Sequence, residues 1–162
     1  MRKRGYFNFQ QAELLCKALN SQKADYLLIG KSGAVIMGYP GTTQDVDIYP
    51  KKDPENAKKI IKALNSIGFK LDNKIKEAIL RGKDFVQIKS GPFDIDLVFA
   101  PDGFENYDEV KKRSVKIKYF PVANISDIIR SKQAAGRERD MIELPLLKAF
   151  AKSLEREGLK WH

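Results

Sequence analysis

With a single cysteine, Cys16, the chain can form no disulfide within itself. Cys16 falls on the apolar stripe of an expected helix and reads as a buried, unreactive thiol. The only histidine is His162. One cysteine and one terminal histidine cannot make a typical zinc site, and a Ser-His-Asp or Cys-His apparatus would lack its internal imidazole. Trp161 and His162 together read as a frayed end. No apolar run approaches the ~18 to 20 residues of a membrane span, so no membrane partner is expected. The basic opening, MRKRGYFNF, leads into no long apolar stretch with a small-residue cleavage site, so it does not read as a secretory signal. A cytoplasmic protein is expected.

What is present suffices for a core without metal or disulfide staples: 162 residues, 43% of them hydrophobic. One compact unit is expected, an α/β core over 1–123 with a C-terminal helical segment over 124–162 packed on it. Lys and Arg number 30 against 21 Asp and Glu, a net charge of +9. That balance favours polyanionic partners such as RNA, although no aromatic-rich RNA-binding signature accompanies it.

Periodicity places a first helix over 8–20, with Leu14, Leu15, Ala18 and Leu19 inward. Tyr26 to Ile29 reads as a buried strand ending at Gly30. Residues 32–37 fit a short helix closed by Gly38, and 45–49 a second strand stopped by Pro50. Asp53-Pro54-Glu55 opens a helix with Ile60, Ile61, Leu64 and Ile67 inside. Residues 69–71 fit a short strand, 85–88 and 93–99 an antiparallel hairpin, and 115–120 an edge strand with lysines facing water. Ser126 is expected to cap a helix running to Gly136. A last helix covers about 138–157, interrupted or kinked near Pro145. The order gives an α+β fold, a mixed sheet flanked by helices with a C-terminal helical pair.

Within TTQDVDIYP, Asp45 and Asp47 are two apart on a strand and so share a face, with Val46 and Ile48 turned to the core. FDIDLVF repeats the device with Asp94 and Asp96. Three or four carboxylates on one patch repel unless a cation lies between them. Mg²⁺ suits such a patch, because it takes oxygen ligands and commonly binds a few carboxylates together with substrate phosphates; Mn²⁺ has similar tastes. Two such ions can clamp the attacking and leaving oxygens of a phosphoryl displacement. Just upstream, a strand ends in Gly30 and a helix begins within two residues. Amides at that turn suit a phosphate, and Gly30 lets the anion approach closely.

These residues resemble the nucleotidyltransferase superfamily that includes DNA polymerase beta. Its signature is an apolar residue, Gly, then Gly or Ser, nine to thirteen residues, and Asp-x-Asp or Asp-x-Glu, with a third carboxylate on a later strand. Ile29-Gly30 and Asp45-Val46-Asp47 match it. GYPGTTQDVDI is similar to small prokaryotic members, among them the abortive-infection-type toxins, which implies an antitoxin protein as a partner. FDIDLVF resembles the third-carboxylate strand, with Asp96 in that role and Asp94 as the alternative on the same face. VANISDIIRSKQAAGRERDMIEL resembles the C-terminal helix pattern, with Lys132, Arg137 and Asp140.

The resemblance implies transfer of a nucleoside monophosphate from an NTP to an acceptor hydroxyl, with tRNA or another RNA as a candidate acceptor. Asp45, Asp47 and Asp96 would be catalytic and hold two Mg²⁺ ions. Gly30, Lys31, Ser32, Thr43, Lys132 and Arg137 would face the nucleotide, with Arg137 and Asp140 pairing structurally. Lys31 departs from the pattern, which has a small residue there. It could swing outward, add a cation near phosphate, or block the pocket and leave a non-catalytic binding module.

Overall fold

The computed structural model describes residues 8–157. The ends, including Trp161 and His162, lie outside them. In chain order the elements are α1 (Phe9–Ser21), β1 (Tyr26–Ile29), α2 (Gly30–Ile36), β2 (Asp45–Pro50), α3 (Pro54–Ser66), α4 (Asn73–Arg81), β3 (Phe85–Ile88), β4 (Asp94–Val98), α5 (Tyr107–Arg113), β5 (Val115–Ile117), β6 (Phe120–Val122), α6 (Ile125–Ala135) and α7 (Glu138–Arg156). The six strands form one mixed sheet in the order β3-β4-β2-β1-β6-β5. Strands β2 and β4 run parallel, as do β1 and β6; the other neighbours are antiparallel. The expected α+β architecture is therefore present.

Strand β1 is buried along its whole length, as its unbroken YLLI run demands of a central strand. Strand β2 alternates instead. Val46 and Ile48 are buried, while Asp45 and Asp47 are partly open. Ile48 pairs with Leu28 on one side and Leu97 on the other. Each such buried aliphatic side chain contributes roughly 1.5–3 kcal/mol, which fixes the register and so the placement of the aspartates between them. Helix α1 packs on α3 and α3 on α4; α2 packs on α6 and α6 on α7. Asp127, buried near the start of α6, takes Arg113 of α5 at 2.9 Å and also pairs with Arg130.

Several local expectations shift. Leu14 lies 45% exposed, because the inner face of α1 is set by Ala12, Leu15, Cys16 and Leu19. Cys16 is buried, and burial pushes its thiol up to about 12. Residues 69–71 form no strand; Phe69 instead packs edge-on against Phe93. The segment 115–120 is broken at Lys118, whose φ of +55° turns it into the β5–β6 hairpin. Helix α6 is capped by Asn124, whose side chain accepts from the Ser126 amide. Helix α7 continues through Pro145 without interruption. Among the described residues no helix is long and apolar enough to cross a membrane.

Candidate active site

The parallel pairing of β2 with β4 sets Asp45 opposite Asp94 and Asp47 opposite Asp96. Paired residues of neighbouring strands point the same way, so all four carboxylates share one face of the sheet. Asp45, Asp47 and Asp96 line a cleft of about 740 Å³ that Asp94 does not reach. Of the two candidates for the third carboxylate, Asp96 lines the cleft and Asp94 does not. Its far wall is built by Ser131 and Lys132 of α6 and by Arg139, Asp140 and Glu143 of α7, with Arg137 at the junction.

Asp47 and Asp96 are the deepest pair. Burial, then the neighbouring Asp96 charge, pushes the Asp47 carboxyl up to about 8, with Asp45 adding repulsion and Lys132 opposing it. Asp96 is also raised, first by burial and then by Asp45, against hydrogen bonds from Asp47 and Gln87. The pair therefore holds a proton at neutral pH when no cation is near. Asp96 is only 8% exposed, and its Oδ1 has no hydrogen-bond partner among the described residues. A buried carboxylate oxygen without a donor, in an all-oxygen set, fits a hard cation such as Mg²⁺. No three Asp, Glu, His or Cys side chains among the described residues make a ready-made metal cage.

The turn below the cleft is close-packed. Gly30 has φ +62°, and a Cβ placed on it would lie 2.4 Å from Asp47 Oδ2. Gly30→Ala is accordingly expected to cost about 1–2 kcal/mol from the left-handed backbone and to displace the Asp47 carboxylate. A lowered melting temperature together with lost Mn²⁺ binding would report both effects. Ser32 is placed differently from expectation. It is fully buried, its hydroxyl donates to Ile29 O at 2.9 Å, and it accepts from the Asp47 amide at 3.0 Å. The hydroxyl ties the start of α2 to β2 and lies outside the cleft lining. Thr43 does line the cleft, but its hydroxyl donates to the backbone carbonyl of Asp45 at 3.0 Å, which orients the strand rather than the carboxylate.

Lys31 turns toward α7. It stands in the wall, with Nζ 3.2 Å from Glu143 Oε1. Lys132, with its side chain 13% exposed, reaches Asp140 at 3.3 Å and bears on the Asp47 charge. Arg137 donates through Nε to Asp140 at 2.6 Å. Burial works against ionisation of Asp140, yet Arg137 and Lys132 outweigh it and hold its carboxyl below the ordinary value. Glu143, Arg139 and Gln87 are among the cleft residues that escape sequence reasoning. Glu143 lies one helical turn beyond Asp140, the signal that could have found it. Arg139 lines the cleft and forms no ion pair among the described residues. Gln87 faces Asp96 across the β3–β4 pair, which the hairpin register would have shown.

No protein-family model and no curated protein sequence matches the chain. Solved structures do. TM1012 from Thermotoga maritima, provisionally described as a nucleotidyltransferase, aligns at a TM-score of 0.55 with 15% identity, over 84% of this chain and 89% of its own. The lincosamide antibiotic adenylyltransferase LnuA, solved with lincomycin bound, aligns at 0.57 with 16% identity, over 89% of this chain and 98% of its own. At such identity the likeness speaks to architecture. The chain has the nucleotidyltransferase fold.

Proposed function

We propose that the protein transfers a nucleoside monophosphate from an NTP to an acceptor hydroxyl in the β2–β4 cleft. The convergence of Asp45, Asp47 and Asp96 beside the Gly30 turn carries this reading. Those three carboxylates would hold Mg²⁺, which when bound neutralises triphosphate charge and polarises the α-phosphorus. Lys132 and Arg139 supply the protein's own positive charge to the triphosphate. Asp96 accepts the proton of the acceptor hydroxyl as its oxygen bonds to the α-phosphorus. The bond from the α-phosphorus to the bridging oxygen breaks, and pyrophosphate leaves.

The acceptor reading turns on the other side of the cleft. Asp84 just before β3, Phe85 and Gln87 of β3, Val98 of β4 and Asp102 in the loop after it line this side, with no lysine or arginine among them. Phe85 is 49% exposed. An acidic wall with an aromatic shelf favours a compact hydroxyl compound carrying positive charge over the phosphate chain of RNA. LnuA, with lincomycin bound, gives a precedent for a small acceptor on this fold. The net charge of +9 favours RNA instead and with it the toxin role, whose antitoxin would bind elsewhere.

Incubation with labelled NTPs and Mg²⁺, in parallel against total RNA and a small-molecule extract, separates these outcomes. Label on a small cationic product is expected. Label on RNA would overturn the acceptor reading alone. Nucleotide binding without any turnover would favour the non-catalytic reading, in which Lys31, held by Glu143, stands where the fold's small residue would leave room for triphosphate.

A further inference from the structure

Away from the cleft, α7 presents a second organised surface. Its inner side buries Asp140, Leu144, Leu147 and Leu154. On the other side Met141, Ile142 and Leu146 are exposed at 53%, 70% and 61%, with Pro145 and Ala149 open among them. Positions 138, 142, 145, 149, 152 and 156 step by three or four and share one helix face. Along that face the charge changes sign. Glu138 stands at the start, apolar residues fill the middle, and Lys152 and Arg156 stand at the end, all exposed. Neither Glu138 nor Lys152 forms an ion pair among the described residues.

A helix face that is acidic at one end, apolar in the middle and basic at the other is complementary to itself turned end for end. We infer that α7 is a homodimer interface, in which two copies pack α7 against α7 antiparallel about a two-fold axis near Pro145. Glu138 lies seven residues before Pro145 and Lys152 seven after it. Each Glu138 therefore meets the partner's Lys152, while Ile142 and Leu146 close the centre. A foreign partner would need no such relation between the two ends; a second copy requires it. Within one chain Glu138 and Lys152 are about 21 Å apart along the helix, too far to pair. The opposite face of α7 carries Asp140 and Glu143 of the cleft wall, so the dimer would brace that wall from behind.

Sedimentation equilibrium of the full chain across a wide concentration range tests this. The wild type is expected to pass from monomer to dimer, and Ile142→Glu to remain monomeric. Glu138→Lys is expected to weaken association about tenfold, and the double variant Glu138→Lys with Lys152→Glu to restore it, because the reversed charges again face each other across the axis. Glu138, Ile142 and Lys152 are all exposed, so each variant should keep the wild-type circular dichroism spectrum and report association alone. A wild-type chain that stays monomeric throughout, or a double reversal that fails to restore association, would overturn the proposal.

Discussion

Asp47→Asn is expected to lower nucleotidyl transfer on the order of 10³-fold or more while raising the melting temperature of the metal-free protein by a few degrees at about pH 8. The two effects share one cause. Asp47 is half-buried beside Asp96, with Asp45 close by, and its ionised form is penalised by the loss of water and by both neighbouring charges. Asparagine keeps the shape that fits against Gly30 and can still donate to Asp96, as the protonated acid does. It removes the charge that costs stability and the charge that a divalent cation needs. A structural aspartate would behave oppositely, losing stability and leaving chemistry largely intact. Thermal melts and single-turnover transfer on the same preparation separate the two.

The metal-free wild type should become less stable as pH rises from about 4 to about 8. The Asp47 carboxyl is raised from the ordinary value to about 8 in the fold. Across that window the folded state keeps a proton that the unfolded chain releases. The stabilisation is therefore full below the unfolded value and is lost as pH passes upward through the folded one. On the proposed reading Mg²⁺ or Mn²⁺ would replace the proton, so either ion should raise the melting temperature near pH 8 and do little near pH 5, with protons released on binding. Asp47→Asn should flatten both the pH dependence and the metal response. A stability that rises with pH over this window would place the proton elsewhere.

Much of this was legible in the chain. Alternation in DVDIYP and FDIDLVF placed the carboxylates on one face of each strand, because the apolar partners Val46, Ile48, Ile95 and Leu97 had to be buried. Their meeting was expected from the resemblance, but the residues alone did not fix it. It depends on β2 lying parallel and in register with β4 after two helices and one strand intervene, a non-local pairing that no local pattern encodes. Helix α4 could have been found from Ile75, Ala78 and Ile79 behind the capping Asp72, and was obscured by its lysine-rich outer face. Helix α5 buries only Val110 and gives no amphipathic signal. Ser32 misled because a hydroxyl beside a glycine turn suits phosphate as well as backbone; only the 3.0 Å bond from the Asp47 amide distinguishes the two. The partners of Lys31 and Lys132 lie on α7, whose packing on α6 and α2 determines which face meets the cleft.

The most direct test of the site is Mn²⁺ binding followed by electron paramagnetic resonance, with a non-hydrolysable NTP analogue, for the wild type, Asp47→Asn and Asp96→Asn. The wild type should bind at least one ion with the nucleotide, and each variant should bind far more weakly while retaining its fold. Equal binding by all three proteins would contradict a shared carboxylate site between β2 and β4.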